Sequence, residues 1–401
     1  MNSNNAILII CNRVPFPLKD GGSLAMFAMI KGWHKAGRPV HLLAMNTAKH
    51  NIKQADLPEL FGQIASFEMV QMDTQIKVLP TLSNFIFSQK PQHAQRFYAQ
   101  HFEKKIIEKI QQIQPELIQL ESIYLQEYAP VIRQYSKALL MQRLHNIEAE
   151  IWYRLAQESV GLLKKWYLKN LAKRIEQYEK IVWQDADALI AISNNDEQTI
   201  SRSGCTTPMC TIAFGIDMDK KALVESINHK AYHLGAMDWQ PNIEAMEWMR
   251  DAIAPSIHQK IPDFQFHFAG RKMPEWFTKE RKPYFYCSGE IEDASTFIQD
   301  KGILIVPLRS GSGIRIKTLE AMVEGKLVIS TRVGIQGIEA QDKTHFLLAD
   351  TPQDFATAIE WVLAHKEEAL QIVHNAQKLI KDHYNQKMLQ TRLIHFAEGL
   401  A

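Results

Sequence analysis

From Pro307 to Met322 the chain reads PLRSGSGIRIKTLEAM, a turn of glycine and serine set between an apolar run and a helical pattern. In such a turn backbone N–H groups converge on an anion, and the helix N-terminus adds partial positive charge. Arg315 and Lys317 lie two apart in the loop or first turn, so both can reach the same phosphates from different sides. Glu320 follows deeper in the helix, where a carboxylate can accept two hydrogen bonds from neighbouring hydroxyls such as a ribose diol. The segment Ser310–Ile338 therefore reads as a grip for a nucleoside diphosphate. A helix capped by Ser312 and flanked by solvated charges is the plain alternative. Gly311-x-Gly313 is no dinucleotide fingerprint, because Ile316 fills the third glycine position. Near the start of the chain Gly21 and Gly22 precede a second helical pattern, and without a Cβ their backbone can come close to a ligand.

These groups need elements to position them. Ala6–Cys11 (AILIIC) is a continuous apolar run, as in a strand buried on both faces of a parallel sheet. A helix over Leu24–Ala36 stops at Gly37, and Pro39–Met45 is the next strand. Leu117–Leu120, Ala138–Leu144 and Ala188–Ile192 read as further strands, with helical spacing over Ala94–Gln112, Ile123–Tyr135 and Glu150–Trp183. A second series starts at strand His233–Ala236. It continues through helix Asn242–Ala254, strands Phe264–Ala269 and Gly302–Pro307, helix Lys317–Glu324, and strands Leu327–Ser330 and Phe346–Leu348. Three helical stretches close the chain. This alternation predicts an α/β protein with two doubly wound parallel sheets and sites at the carboxyl ends of strands.

The bulk numbers agree with that organisation. A chain of 401 residues is too long for one ordinary core. With 46% hydrophobic and 22% charged residues it is globular, and a net charge of +2 gives no field for nucleic acid. The first fifty residues are locally basic, with Arg13, Lys19, Lys31, Lys35, Arg38 and Lys49 against Asp20 alone. Cys11, Cys205, Cys210 and Cys287 lack metal-ligand spacing and read as reduced thiols of a cytoplasmic protein. The opening residues lack a basic region, and the apolar run after them is too short for a signal core or a membrane span. Tyr167, Leu171, Ile175 and Tyr178 form an apolar stripe flanked by Lys164, Lys165, Lys169, Lys173 and Arg174. Helix 162–182 is thus either a core helix with a solvated basic face or a peripheral membrane contact at the inner face of the plasma membrane.

Gly313–Met322, followed by Gly325–Thr331 (GKLVIST), resembles the donor-binding signature of family-4-like bacterial glycosyltransferases of the polysaccharide-biosynthesis type, which have the GT-B fold. The resemblance extends over nearly the whole chain. Gly21-Gly22 looks like the family's glycine loop, and Ala188–Ser193 (ALIAIS) like the strand before the interdomain region. Ala213–Asp217 (AFGID) resembles the turn after it, and Gly235–Asn242 (GAMDWQPN) the opening of the second domain. The fold implied is a pair of Rossmann-like domains facing across a cleft. Residues 1–215 would form the acceptor side, with a C-terminal helix at about 384–401 packed back on it. Residues 216–383 would bind the donor.

The resemblance also assigns roles. His145 would reach the transferring sugar, and Gly21 and Gly22 would approach the donor phosphate and reacting sugar, with His145 and Gly22 catalytic. Arg271 would partner the pyrophosphate, and the backbone of Gly289, Glu290 and Ile291 would meet the nucleobase. Ser312, Gly313, Ile314, Arg315 and Lys317 would hold the diphosphate and Glu320 the ribose. Many members carry two glutamates with seven residues between them; here the earlier position is Ser312, which leaves sugar choice open. The reaction implied is glycosyl transfer, with retention, from a UDP- or GDP-linked sugar to a saccharide or lipid-linked saccharide, with neither cofactor nor metal. A nucleotide-sugar epimerase or hydrolase would need acidic residues around the sugar that the sequence does not identify. A non-catalytic GT-B-like partner subunit is suggested by Ser312 and opposed by the intact Glu320, Lys317 and Gly22. A dinucleotide oxidoreductase lacks its glycine fingerprint.

Overall fold

The structure, a computed structural model, describes residues 5–18, 21–48, 51–74, 95–159, 161–216, 218, 227–311 and 314–400. Lys19, Asp20, Asp217, Ser312 and Gly313 therefore lie outside the described residues. The chain divides into two compact units, Met1–Phe214 with Met388–Ala401, and Gly215–Lys387.

In the first unit seven parallel strands stand in the order β3-β2-β1-β4-β5-β6-β7. They are β1 (Ile7–Cys11), β2 (Val40–Thr47), β3 (Ser66–Met72), β4 (Leu117–Leu120), β5 (Leu139–Arg143), β6 (Ala188–Ala191) and β7 (Met209–Thr211). Strand β1 is central and wholly buried, which explains its unbroken apolar run. Helices α1 (Gly21–Lys35), α2 (Leu60–Gln63), α3 (Gln100–Ile113), α4 (Ala129–Tyr135), α5 (Glu148–Glu158), α6 (Leu162–Asp185) and α7 (Asn194–Arg202) connect them. Strand β3, which the apolar pattern does not announce, is an edge strand. Its Glu68 faces Lys105 and Lys109 of α3, so polar residues suit it.

The stripe Leu171, Ile175 and Tyr178 is buried. Leu171 and Ile175 pack on Ala149, Trp152 and Tyr153 of α5, and Tyr178 joins the cluster of Val182, Trp183 and Leu189. Three of the four stripe residues thus fit the core reading, while Tyr167, the first of them, is exposed. Among the described residues no helix is long and apolar enough to cross a membrane.

The second unit is a six-stranded parallel sheet in the order β10-β9-β8-β11-β12-β13. Its strands are β8 (Lys230–Leu234), β9 (Gln265–Ala269), β10 (Phe285–Cys287), β11 (Ile303–Val306), β12 (Leu327–Ser330) and β13 (Leu347–Leu348). Its helices are α8 (Gln240–Trp248), α9 (Ala254–Lys260), α10 (Glu275–Thr278), α11 (Ala294–Ile298), α12 (Ile316–Val323), α13 (Pro352–Ala364) and α14 (Lys366–His383). A last helix, α15 (Gln386–Glu398), carries the chain into the segment counted with the first unit, where Gln390 lies against Gly32 of α1.

Candidate functional site

In the second unit the chain leaves β8 for β9 and β10 on one side, then returns for β11, β12 and β13 on the other. The carboxyl ends of β8 and β11 therefore diverge at a switch point, the place where open α/β sheets bind ligands. Arg271 follows β9, Gly289, Glu290 and Ile291 follow β10, and Ile314, Arg315, Lys317 and Glu320 follow β11. All eight sit at the same end of one sheet.

The loops after β8, β9 and β10 are stitched together by their backbones. Gly235 N–H donates to Ala269 O at 3.1 Å, and Gly270 N–H donates to Gly289 O at 2.8 Å. A Cβ on Gly270 would fall 1.8 Å from Gly235 O, so only glycine allows this approach. Gly289 has φ +68 and open space where a Cβ would stand. Glu290 is exposed and Ile291 half-buried.

The loop after β11 is built around Trp239. The Arg315 guanidinium lies over the Trp239 ring at 5.2 Å, and burial lowers its pKa to about 10, so it remains a cation at neutral pH. Gly311 has φ +106, and a Cβ there would come within 2.8 Å of Trp239 and 3.0 Å of the Arg315 guanidinium. Gly311 is thus required by left-handed backbone and by packing. Ser310 hydroxyl donates to Glu244 at 2.9 Å. Ile314 packs against Gly337, whose φ is +84.

Arg315 is the N-cap residue of α12, with no side-chain cap on that helix among the described residues. Lys317 and Glu320 lie one helical turn apart on its exposed side, while Thr318, Leu319, Ala321, Met322 and Val323 are buried. Desolvation lowers the Lys317 pKa, Glu320 opposes that shift and Arg271 adds to it, so the three charges share one locus. Arg271 is also held by Asp238, at 3.1 Å.

Sequence reading missed His233, on central strand β8. Its Nδ1 donates to Ile305 O at 2.8 Å, which leaves Nε2 as a buried acceptor beside Gly235, with no partner among the described residues. Burial first, and then the charge of Lys317, depress its pKa to about 4. A polar residue at the buried centre of an otherwise apolar strand segment was the available signal.

The first unit has the same wiring, with its switch point between β1 and β4. Gly21 opens α1 just after β1, and nothing lies within 4 Å of where its Cβ would be; Gly22 is half-buried beside it. His145 follows β5, with Nε2 3.1 Å from the carboxylate of Glu121, which follows β4 and is fully buried. Burial raises the Glu121 pKa, but Arg143 and His145 bring it below the ordinary carboxylate range overall. Gln119 donates to the same carboxylate and accepts from Trp33 Nε1 of α1 at 2.9 Å. Arg143 donates to Ala25 O of α1 at 3.1 Å and lies 3.9 Å from Glu121. His145 is therefore an oriented, partly exposed imidazole at a strand end. Arg13 lies near enough to Cys11 to act on its thiol. Among the described residues no group of His, Cys, Asp or Glu is arranged to hold a metal ion.

Residues 228–365 match the family described as Glycosyl transferases group 1. An uncharacterized 44.6 kDa protein in the cps region of Klebsiella pneumoniae is 21% identical over 254 residues, which cover 61% of this chain and 65% of that protein's length. Among solved structures, Anabaena Alr3699/HepE in complex with UDP is similar at a TM-score of 0.64 and 14% identity, covering 98% of this chain and 100% of that one. Sucrose-phosphate synthase from Thermosynechococcus elongatus is similar at 0.67 and 15% identity, covering 98% and 99%. Residues 228–365 are thus similar to a Glycosyl transferases group 1 domain, and the chain has the fold of the GT-B glycosyltransferases.

Proposed function

We propose that this chain is a glycosyltransferase that moves a sugar from a nucleoside diphosphate sugar to a saccharide or lipid-linked saccharide acceptor, with retention, in the synthesis of a cell-surface polysaccharide or glycoconjugate. The observation that carries the reading is the charge locus at the switch point of the second sheet, where Lys317, Glu320 and Arg271 act on one another beside the half-buried cation Arg315. A group-1 domain around that locus, and a fold shared with a protein solved in complex with UDP and with UDP-glucose, support a UDP-linked donor; GDP is the next candidate.

In this reading Glu320 accepts from the ribose diol, and the backbone of Gly289, Glu290 and Ile291 meets the base. Lys317, Arg315 and Arg271, with the backbone N–H groups of Ser312, Gly313 and Ile314, neutralise the diphosphate. Positive charge fixed where negative charge develops lowers the barrier to departure. These cations suffice without a metal or other cofactor. The sugar C1–O bond to the diphosphate breaks, the acceptor oxygen bonds to C1 on the same face, and the acceptor proton passes to the departing phosphate. His145, held by Glu121, hydrogen-bonds a hydroxyl of the transferring sugar, and Gly21 and Gly22, which open α1, approach its phosphate. The enzyme works in the cytoplasm.

A thermal-shift screen of UDP-, GDP- and ADP-linked sugars tests the reading, since a ligand bound only by the folded state raises stability. The expected result is a shift with one nucleotide series and, with that donor, release of the free nucleoside diphosphate on adding acceptor. No shift with any series removes the donor assignment.

A further inference from the structure

Two arginines of the second unit, Arg271 after β9 and Arg315 after β11, are held by neighbouring residues of one short stretch after β8. Asp238 pairs with Arg271 at 3.1 Å, and Met237 N–H donates to Arg271 O at 2.9 Å. Trp239, the next residue, carries the Arg315 guanidinium over its ring, 5.2 Å from the centroid. Gly311 packs on the same ring, since a Cβ there would fall 2.8 Å from Trp239 Cζ2. Trp239 is the N-cap residue of α8, and that helix holds the loop at two more points. Glu244 accepts from Ser310 at 2.9 Å, and the Arg309 guanidinium lies over Trp248 at 5.5 Å. Arg309, Ser310, Gly311 and Arg315 are thus all fixed from α8 and its N-cap.

A tryptophan that served only to fill a core would be covered, yet Trp239 is 37% exposed. The two supports also differ in chemistry. Asp238 offsets the charge of the arginine it holds, whereas an aromatic face attracts a cation without supplying a full negative charge. Arg315 is thereby oriented while its positive charge stays available to an anion, as a site that binds a diphosphate requires. The ring has a second effect through the backbone. Gly311 has φ +106, and the Trp239 edge against it fixes where this left-handed residue sends the chain.

We propose that Trp239 is a positioning residue for donor recognition, setting Arg315 and the Gly311 turn against the diphosphate; this rests on the nucleotide-sugar reading above. Calorimetry with UDP, and with GDP in parallel, tests it in a set of variants. Trp239→Ala is expected to weaken binding of the nucleoside diphosphate about tenfold. Trp239→Phe keeps an aromatic face and should stay within about threefold of wild type. Trp239→Leu keeps apolar bulk against Gly311 but no ring, and should lose as much as alanine. In an Arg315→Ala background the further loss from Trp239→Ala should shrink below about twofold, because residues that act through one another are not additive. The Phe and Leu variants carry the comparison if the alanine variant fails to fold. Leucine that binds like wild type would reduce Trp239 to packing and overturn the proposal. An equal loss from Trp239→Ala with and without Arg315 would also overturn it, since Trp239 would then act elsewhere. Wild-type protein that binds neither nucleotide is a different result, which removes the donor reading itself.

Discussion

At the scale of single residues, the charged pair on α12 decides most. Lys317 and Glu320 are one turn apart on an exposed helix side, so truncating either leaves the apolar packing of Leu319 and Met322 intact. Lys317→Ala and Glu320→Ala are each expected to weaken nucleotide binding at least tenfold, about 1.4 kcal/mol, by calorimetry. Unchanged affinity would remove the pair from the donor site. His145 makes a different prediction, because in the proposed reading it meets the transferring sugar rather than the nucleotide. His145→Ala should lower kcat more than it raises the Kd for nucleotide, and wild-type turnover would take it off the catalytic list. Much of this was legible: a helix start preceded by glycine and cations is a local pattern. The roles of Trp239, Glu121 and Asp238 were not. Each acts by facing a residue from another strand end, and spacing along the chain does not encode such a meeting.

At the scale of elements, what matters is how α1 and β8 are held. Helix α1 is tied to the sheet by Trp33 on Gln119 and by Arg143 on Ala25 O, and Arg143 also faces the buried Glu121 carboxylate. Removing one member of a buried charge pair leaves the other uncompensated. Arg143→Met should therefore destabilise the protein by about 3–5 kcal/mol in denaturant unfolding, although it keeps the apolar bulk. A loss under about 1 kcal/mol would show that Glu121 is satisfied without Arg143. On β8, His233 titrates near 6.5 when unfolded but at about 4 when folded. In that window the unfolded chain binds the extra proton, so His233 costs stability as pH falls from 6.5 toward 4 and costs none above it. His233→Gln should lessen the acid sensitivity of stability, by at most about 3 kcal/mol at pH 4. His267, also depressed to about 4, makes its substitution the matched control. If the His233→Gln curve parallels wild type from pH 7 to pH 4, the imidazole is not buried neutral. Buried strands and the closing helices were readable because periodicity reports burial directly. Strand β3 was not, because an edge strand with Glu68 paired to α3 carries a polar pattern. For α6, spacing fixed the apolar stripe but not its fate, since only the packing of α5 shows it to be core.

At the scale of the molecule, each unit repeats one wiring rule. A central strand is laid first, two are added on one side, and the chain then crosses to the other, which opens a crevice at the carboxyl ends of β1 and β4 and again at β8 and β11. Alternation of strands and helices in the sequence predicts this much, since right-handed crossovers leave few other arrangements. The same rule limits where a donor can leave its mark. If the second unit grips the nucleoside diphosphate, saturating UDP should slow hydrogen exchange at 235–239, 270–272, 288–291 and 314–317. These loops come from four different strands yet meet at one edge. A concentration of about 100 Kd stabilises the bound state by roughly 2.7 kcal/mol, enough to read in the amides of a loop that opens locally. Lys317→Ala should lose most of this protection at the same UDP concentration. Protection confined to the opposite edge of the sheet, where the strands begin, would place the nucleotide elsewhere, however well the sequence signature matches.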